Sequence, residues 1–457
     1  MKNGKGQITL DFHQGTLLLK NDAAARALDF FRWDERSQQW RAKALYYQET
    51  VRWLDNHNIE YDDSCAQYKK LRLKLNMRMS LRSYQKEALQ AWRSSGYRGS
   101  VCLPTGAGKT WVALQAMSEV KISTLVVLPT LDLMNQWYDA ISDAFGVEVG
   151  LLGGGYHEIR NITVTTYESA YRHIDKYGHR FGFLIFDEVH HLPAATYSHI
   201  PEMSIAFHRL GLTATYQRLD GLHGKLERLI GPVVFEKSIK DLEGEHLAEY
   251  ETMKITVNLS PEEKRLYHQN QQIYEDYIRD HEIKFYGADL EPFLRKSAFD
   301  PQARKAFLAR LECRRIIIGV SRKIEILETL LKRHHADRVL IFSESNDLVY
   351  KISEAFLIPA LTHHTKTIER KEILDNFRNG IYSALVTSKV LNEGVDVPNA
   401  NVAVILSGSA SPTEHVQRLG RILRKEPNKQ AILYELVTRG TKESQISYRR
   451  RRSDAYQ

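Results

Sequence analysis

Cysteine is scarce. Only Cys65, Cys102 and Cys313 occur among 457 residues, and they lie far apart. Without a C-x-x-C pair, neither a cysteine zinc site nor a disulfide framework is indicated, and the chain suits a reducing interior. Long apolar runs are also missing. No stretch of about 18 apolar residues offers a transmembrane span. The opening MKNGKGQITLDF has no apolar core of the kind a signal peptide needs. These absences predict an intracellular protein with no membrane partner. No short-period repeat or extended low-complexity tract is visible.

Basic residues are in modest excess. Lys plus Arg number 64 against 56 for Asp plus Glu, a net charge of +8 and a pI near 9.1. That balance favours a polyanionic partner, although a merely basic soluble enzyme fits it as well. The length suggests roughly three domains of about 150 residues. Hydrophobic content of 43% and charged content of 26% are ordinary for a soluble globular chain.

Residues 1–75 read as a small separate α+β unit. ITLDF and GTLLLK predict a hairpin around His13-Gln14-Gly15, and a helix is expected from Ala42 to Asn56. The basic segment KKLRLKLNMRMS closes this unit. From about residue 76 short apolar runs alternate with helical patterns. Strands are expected at Gly99–Leu103, Thr124–Leu128, Ile162–Thr165, Phe183–Phe186 and Leu210–Leu212, with helices such as Trp111–Val120 and Leu133–Phe145. The alternation resumes with Val339–Phe342, Ser383–Val386, Val402–Leu406 and Ala431–Leu436. Such alternation implies βαβ units and buried parallel sheets. The expected division is 1–75, a first α/β domain at 76–240, a second at 241–445 and a basic tail at 446–457. Residues 258–320, charged and helical in pattern, predict a helical insertion in the second domain. The RRRR of Arg449–Arg452 reads as a solvated terminus.

Leu103–Thr110 reads LPTGAGKT between an apolar run and the helix WVALQAM. Small residues at Thr105, Gly106, Ala107 and Gly108 let backbone N–H groups cradle phosphates, and a helix N-terminus favours their charge. Lys109 is expected to reach the β- and γ-phosphates, and Thr110 to ligate magnesium. Leu103 stands where the strict pattern has glycine, so the loop is a variant. The second acidic site, Asp187-Glu188-Val189-His190, follows the apolar run FGFLIF. Exit from a buried strand places acids where α/β sheets bind ligands. Asp187 would hold magnesium and Glu188 would orient or deprotonate a water. His190 suits a coupling role and His191 local packing.

LRSYQKEAL, LPTGAGKT, VVLPTLDLMNQW, DEVHH, LTAT, VLIFSES, VTSKVLNEGVDVP and QRLGRILR occur in one order. The series resembles that of superfamily two helicases, and more finely the archaeal XPB helicases. The resemblance implies two tandem RecA-like parallel-sheet domains, a small N-terminal α+β domain of the damage-recognition kind and an inserted helical thumb. It implies an ATP-dependent DNA helicase of 3′–5′ polarity that uses ATP and Mg2+, acting in DNA repair such as nucleotide excision repair, or in transcription. Forked or partly single-stranded DNA is the implied partner, a separate nuclease a possible one, and a cytoplasmic, nucleoid-associated location follows for a prokaryotic chain. A double-stranded DNA translocase without processive unwinding and an RNA helicase remain alternatives.

By the same resemblance Gln85 reads the adenine edge and Arg82 stacks on the base. Thr213 and Thr215 couple hydrolysis to domain motion. Gly394 and Asp396 contact nucleotide from the second domain. Gln417, Arg421 and Arg424 reach the phosphates. Arg421 and Arg424 are three apart, which puts them on one side if the segment is helical, and charge on a transferring phosphoryl needs such arginines. Pro129, Thr130, Thr165, Thr166, Thr387 and Ser388 sit at expected strand ends and Thr365 follows His363-His364; hydroxyls and amides there suit phosphate-backbone contacts, and the resemblance implies that they line the path of one strand. In the insertion, Arg304, Lys305, Arg310, Arg314 and Arg315 suit either a DNA grip or a solvated helix face. The family also carries an Arg-Glu-Asp element after LTAT. Here Arg218-Leu219-Asp220 lacks the glutamate, so strand separation is not assigned to it.

Overall fold

The computed structural model describes residues 8–20, 22–76, 80–216, 221–244, 246, 248–283, 290–388, 400–407 and 430–450. The described residues up to Ser238 form one compact unit and those from Ile239 onward a second.

The first unit begins with a five-stranded sheet of β1 (Ile8–His13), β2 (Thr16–Leu19), β3 (Arg32–Asp34), β4 (Gln39–Lys43) and β5 (Tyr61–Asp63), in the order β3-β4-β2-β1-β5. The expected hairpin is present. His13 pairs with Thr16, and the turn residues Gln14 and Gly15 have φ of 47° and 75°. Positive φ at both central positions gives the turn that matches strand twist. The expected helix from Ala42 is shorter than read. Ala42 and Lys43 pair with Leu17 and Thr16, so the sheet claims them, and the helix runs only over Tyr47–Asn56. Sheet pairing here overrides the helix propensity of Ala42. Leu10, Leu17, Ala25, Phe31 and Leu54 fill the core of this sheet, joined by Ile205 from later in the unit. Lys43 Nζ meets Glu202 Oε1 at 2.8 Å across the same junction.

The larger sheet of this unit holds β6 (Arg98–Cys102), β7 (Thr124–Leu128), β8 (Gly150–Gly153), β9 (Tyr156–His157), β10 (Ile162–Thr166), β11 (Phe183–Asp187), β12 (His208–Thr213) and β13 (Val233–Glu236). Their order is β13-β6-β12-β11-β7-β10-β8-β9, all parallel but the edge strand β9. Every residue of β7, β10 and β11 is buried, the pattern of a sheet covered on both faces. The chain leaves β6 through the helix Lys109–Val120 and re-enters at β7, three positions along the sheet. Loops at the carboxyl ends of such strands form the ligand-binding edge of an α/β sheet.

The second unit carries a wholly parallel six-stranded sheet of β14 (Glu249–Val257), β15 (Val339–Phe342), β16 (Ala360–Leu361), β17 (Ala384–Thr387), β18 (Val402–Ile405) and β19 (Gln430–Thr438), in the order β14-β19-β18-β15-β17-β16. Between β14 and β15 lies the expected helical insertion. Helix Pro261–Asp280 starts with a reciprocal cap, Ser260 Oγ accepting from Glu263 N at 3.2 Å and Glu263 Oε2 from Ser260 N at 2.8 Å. It packs on helix Pro301–Ile318, whose Ala303, Ala306 and Ala309 make room for Tyr274 and Tyr277.

Candidate nucleotide and nucleic-acid sites

The phosphate loop is shaped by two glycines. Gly106 and Gly108 have φ of 85° and 79°, conformations that L side chains rarely adopt. A Cβ on Gly108 would also lie 2.5 Å from Gln85 Nε2. Gly108 is the residue before helix Lys109–Val120, so the loop feeds directly into a helix N-terminus. Lys109 Nζ donates to Leu103 O at 3.2 Å, which holds the amine at the mouth of the loop. Within the loop, Thr105 Oγ1 is buried with no hydrogen-bond partner among the described residues. An orphaned buried hydroxyl in a glycine-shaped loop leaves a polar group that an oxygen-rich ligand could satisfy.

Beside the loop lies a pocket of about 160 Å³, lined by Leu75, Leu81, Arg82, Gln85, Trp111 and Leu114 among others. Gln85 is buried. Its Nε2 donates to Ala107 O at 3.0 Å and its Oε1 accepts from Arg82 N at 3.0 Å. Tyr84 OH donates to the same Ala107 O at 2.8 Å. The amide is thus fastened to the phosphate loop. Trp111 and Leu75 were not singled out from the sequence. Trp111 directly follows GKT, which was the available signal; Leu75 had none.

The acid pair stands where β11 ends. Asp187 Oδ2 accepts from Trp137 Nε1 at 3.0 Å, and Asp187 Oδ1 accepts from Glu188 N at 3.0 Å. Tyr167 OH donates to Asp187 O at 3.1 Å. Burial first, and the Glu188 carboxylate second, push the Asp187 carboxyl up to about 6, while Lys109 and Trp137 pull it down. Glu188 adopts a left-handed conformation at φ 48°, uncommon for a residue with a side chain. Its Oε2 is buried and makes no hydrogen bond among the described residues, with His190 Nδ1 at 3.4 Å.

His190 connects this pair to the end of β12. Its Nδ1 lies 3.0 Å from Thr213 Oγ1, which donates to Thr215 O at 2.8 Å and accepts from Thr215 N at 3.1 Å. The hydroxyl has one proton, and Thr215 O takes it. Nδ1 of His190 therefore carries the proton of that contact. Glu188, His190, Thr213 and Thr215 form one chain of polar contacts. His191 sits at 5.9 Å from the Tyr167 ring, a packing position.

The strand-end residues divide by how their hydroxyls are used. Thr130 caps helix Leu131–Phe145, accepting from Leu133 N at 3.3 Å, and Thr166 caps helix Tyr167–Tyr177, accepting from Ser169 N at 3.2 Å. Pro129 precedes the first of these caps. Thr165 is fully buried and donates to Leu152 O at 2.8 Å. In the second unit Thr387 is likewise buried and donates to Leu361 O at 3.1 Å, with Ser388 beside it. Thr365 Oγ1 accepts from Thr362 N at 3.0 Å. In the insertion Arg304 and Lys305 are exposed, and Arg310 lies 5.8 Å from the Tyr274 ring. Arg314 and Arg315 are engaged by Glu344 at 2.6 Å and Glu312 at 2.5 Å. Gly394, Asp396, Gln417, Arg421, Arg424 and Arg218-Leu219-Asp220 lie outside the described residues. No helix among the described residues is long and apolar enough to cross a membrane, and no cluster of three or more His, Cys, Asp or Glu side chains is placed to hold a metal.

A glycine loop before a helix, an acid pair on a buried strand of the same sheet and two parallel-sheet units define the class of superfamily two helicases. Family models agree along the chain: the res subunit of type III restriction enzymes over residues 78–218, the helicase conserved C-terminal domain over 322–426, and the damage recognition domain of the xeroderma pigmentosum group B helicase over 10–65. The DNA 3'-5' translocase XPB2 of Sulfurisphaera tokodaii is 38% identical over 97% of this chain and 100% of its own length. The DNA 3'-5' helicase XPB of Mycobacterium tuberculosis is 31% identical over 81% of this chain, which spans 63% of that protein. The helicase domain of Pyrococcus furiosus Hef shares the fold, with a TM-score of 0.51 at 17% identity over 81% of this chain and 98% of that domain. The chain belongs to the XPB family of superfamily two helicases.

Proposed function

We propose that this chain is an ATP-dependent DNA helicase of 3′–5′ polarity that couples ATP hydrolysis to DNA translocation and strand opening. The observation that carries the reading is the glycine loop of β6 in a chain whose β11 ends in a buried, pre-ordered Asp187-Glu188 pair, within a family of named DNA helicases and translocases. In this reading Gln85 and Arg82 hold the adenine, the amides of 105–108 cradle the phosphates and Lys109 neutralises their charge. The donors of Thr110 and Asp187 are all oxygen, which fits magnesium, an ion that takes one or two carboxylates alongside substrate phosphates. When bound there, it neutralises charge on the β- and γ-phosphates. Glu188 takes the proton of the attacking water. Arg421 and Arg424 supply further positive charge to the transferring phosphoryl, Gln417 reaches the same phosphates with its neutral amide, and Gly394 and Asp396 contact nucleotide. His190, Thr213 and Thr215 couple hydrolysis to motion.

Pro129, Thr130, Thr165, Thr166, Thr365, Thr387 and Ser388 position a DNA strand through its backbone. Thr165 and Thr387 act by holding the strand ends in place, because they are fully buried and their hydroxyls are spent inside the sheets. Work in DNA repair or transcription alongside a separate nuclease extends the same reading. A second reading is a double-stranded DNA translocase; the name of the Sulfurisphaera relative, a DNA 3'-5' translocase, favours its translocase part. ATP turnover and strand displacement on tailed, forked, bubble and RNA substrates separate the two. DNA is expected to stimulate turnover more than RNA, with unwinding of 3′-tailed or forked duplexes. Triplex displacement without strand separation selects the translocase, and stimulation by RNA alone overturns both.

A further inference from the structure

Trp137 is among the largest fully buried side chains of the molecule, at 1% exposure. It lies on helix Leu131–Phe145, well away in sequence from the phosphate loop and the acid pair. An indole this deep needs only apolar neighbours for its ring, but its single N–H must find an acceptor. The acceptor is Asp187 Oδ2, at 3.0 Å. Asp187 is itself 6% exposed, and its other oxygen is fixed by the amide of Glu188. A carboxylate bonded on both oxygens has one orientation available, with the remaining lone pairs left for a ligand.

We infer that Trp137 is a positioning residue for the nucleotide site, holding the Asp187 carboxylate in the orientation that receives the nucleotide-bound magnesium. The inference rests on the reading of Asp187 as the magnesium ligand given above. It follows the general behaviour of ligating carboxylates, whose outer hydrogen bonds cost roughly 10–100-fold in metal affinity when removed. The indole also places that restraint in the same helix that Thr130 caps, two turns from the cap.

The test uses the full-length chain with Trp137→Phe, which keeps an aromatic ring and removes the N–H. Affinity for a non-hydrolysable ATP analogue is measured by calorimetry in EDTA and in magnesium, with Asp187→Asn as a parallel arm. Replacement of Trp137 by 3-benzothienylalanine, which keeps the bicyclic shape, serves if the phenylalanine variant does not fold. The expected result is affinity in EDTA within twofold of the parent and a gain on adding magnesium that shrinks at least about fivefold. A magnesium gain within twofold of the parent overturns the inference. So does an equal loss with and without magnesium, which marks a purely structural indole. If Asp187→Asn also keeps the full gain, the assignment of Asp187 falls as well; if that variant loses it while Trp137→Phe does not, only the role of Trp137 falls.

Discussion

Where β7 ends in the first unit, Thr130 caps the next helix through Leu133 N at 3.3 Å; where β15 ends in the second, Ser345 caps through Leu348 N at the same distance. Thr165 closes β10 by donating across to Leu152 O, and Thr387 closes β17 by donating across to Leu361 O. The two parallel sheets thus finish their strands with the same bonds. They differ in what stands on the edge. In the first unit β6 opens into the glycine loop and β11 into the acid pair. In the second, β15 is followed by Ser343, whose hydroxyl lies 3.3 Å from Ser407 Oγ just past β18. One architecture carries both edges, and among the described residues the glycine loop and the acid pair stand on one of them. Fold likeness therefore does not transmit function between the units; particular residues do.

Among the described residues each unit also buries one Lys or Arg, by different means. Arg209 in the first is 1% exposed and spends its guanidinium on the carbonyls of Ala206, Leu229, Pro201 and Ser204. Lys323 in the second, equally buried, donates to both carboxylate oxygens of Glu443 at 3.0 and 2.9 Å and to Leu406 O at 2.7 Å. Glu443 in turn accepts from Thr438 N at 2.7 Å. The lysine joins the end of β18 to the end of β19 and helix Lys442–Arg450.

The largest break in the comparison comes from Lys323→Met. It strands the Glu443 carboxylate in the interior and should cost about 3–5 kcal/mol. Denaturant unfolding should show this loss, and an unchanged midpoint would mean the pair contributes nothing. A smaller effect sharpens the likeness of the strand ends. Thr130→Ala and Ser345→Ala should each cost about 1 kcal/mol, the usual value of a lost helix cap. Costs that differ by more than about 1 kcal/mol would show that the two caps are not equivalent.

Much of the buried sheet was legible because parallel strands buried on both faces read as continuous apolar runs. Thr124–Leu128 and Val339–Phe342 match the observed β7 and β15 residue for residue. β14 was invisible for the opposite reason. Its Glu249-Tyr-Glu-Thr-Met-Lys sequence is mostly polar and half exposed at the sheet edge, and only pairing with β19 reveals it. Strands β9 and β16, two residues each, are too short for a pattern to declare itself, and β8 reads Gly-Leu-Leu-Gly, with only two apolar side chains between glycines. At the site, the glycine loop and the acid pair were readable from spacing alone. The links between them were not. That Trp137 should touch Asp187, or Tyr84 and Gln85 the carbonyl of Ala107, is set by tertiary packing across distant sequence.

The account stands on the amine at the mouth of the β6 loop. ATP turnover by Lys109→Ala, in the presence of stimulating DNA, is the direct measurement. A fall of at least about 10²-fold is expected from loss of one fixed charge on the phosphates, with DNA binding within twofold of the parent. Near-parental turnover in that variant would contradict the assignment of the nucleotide site.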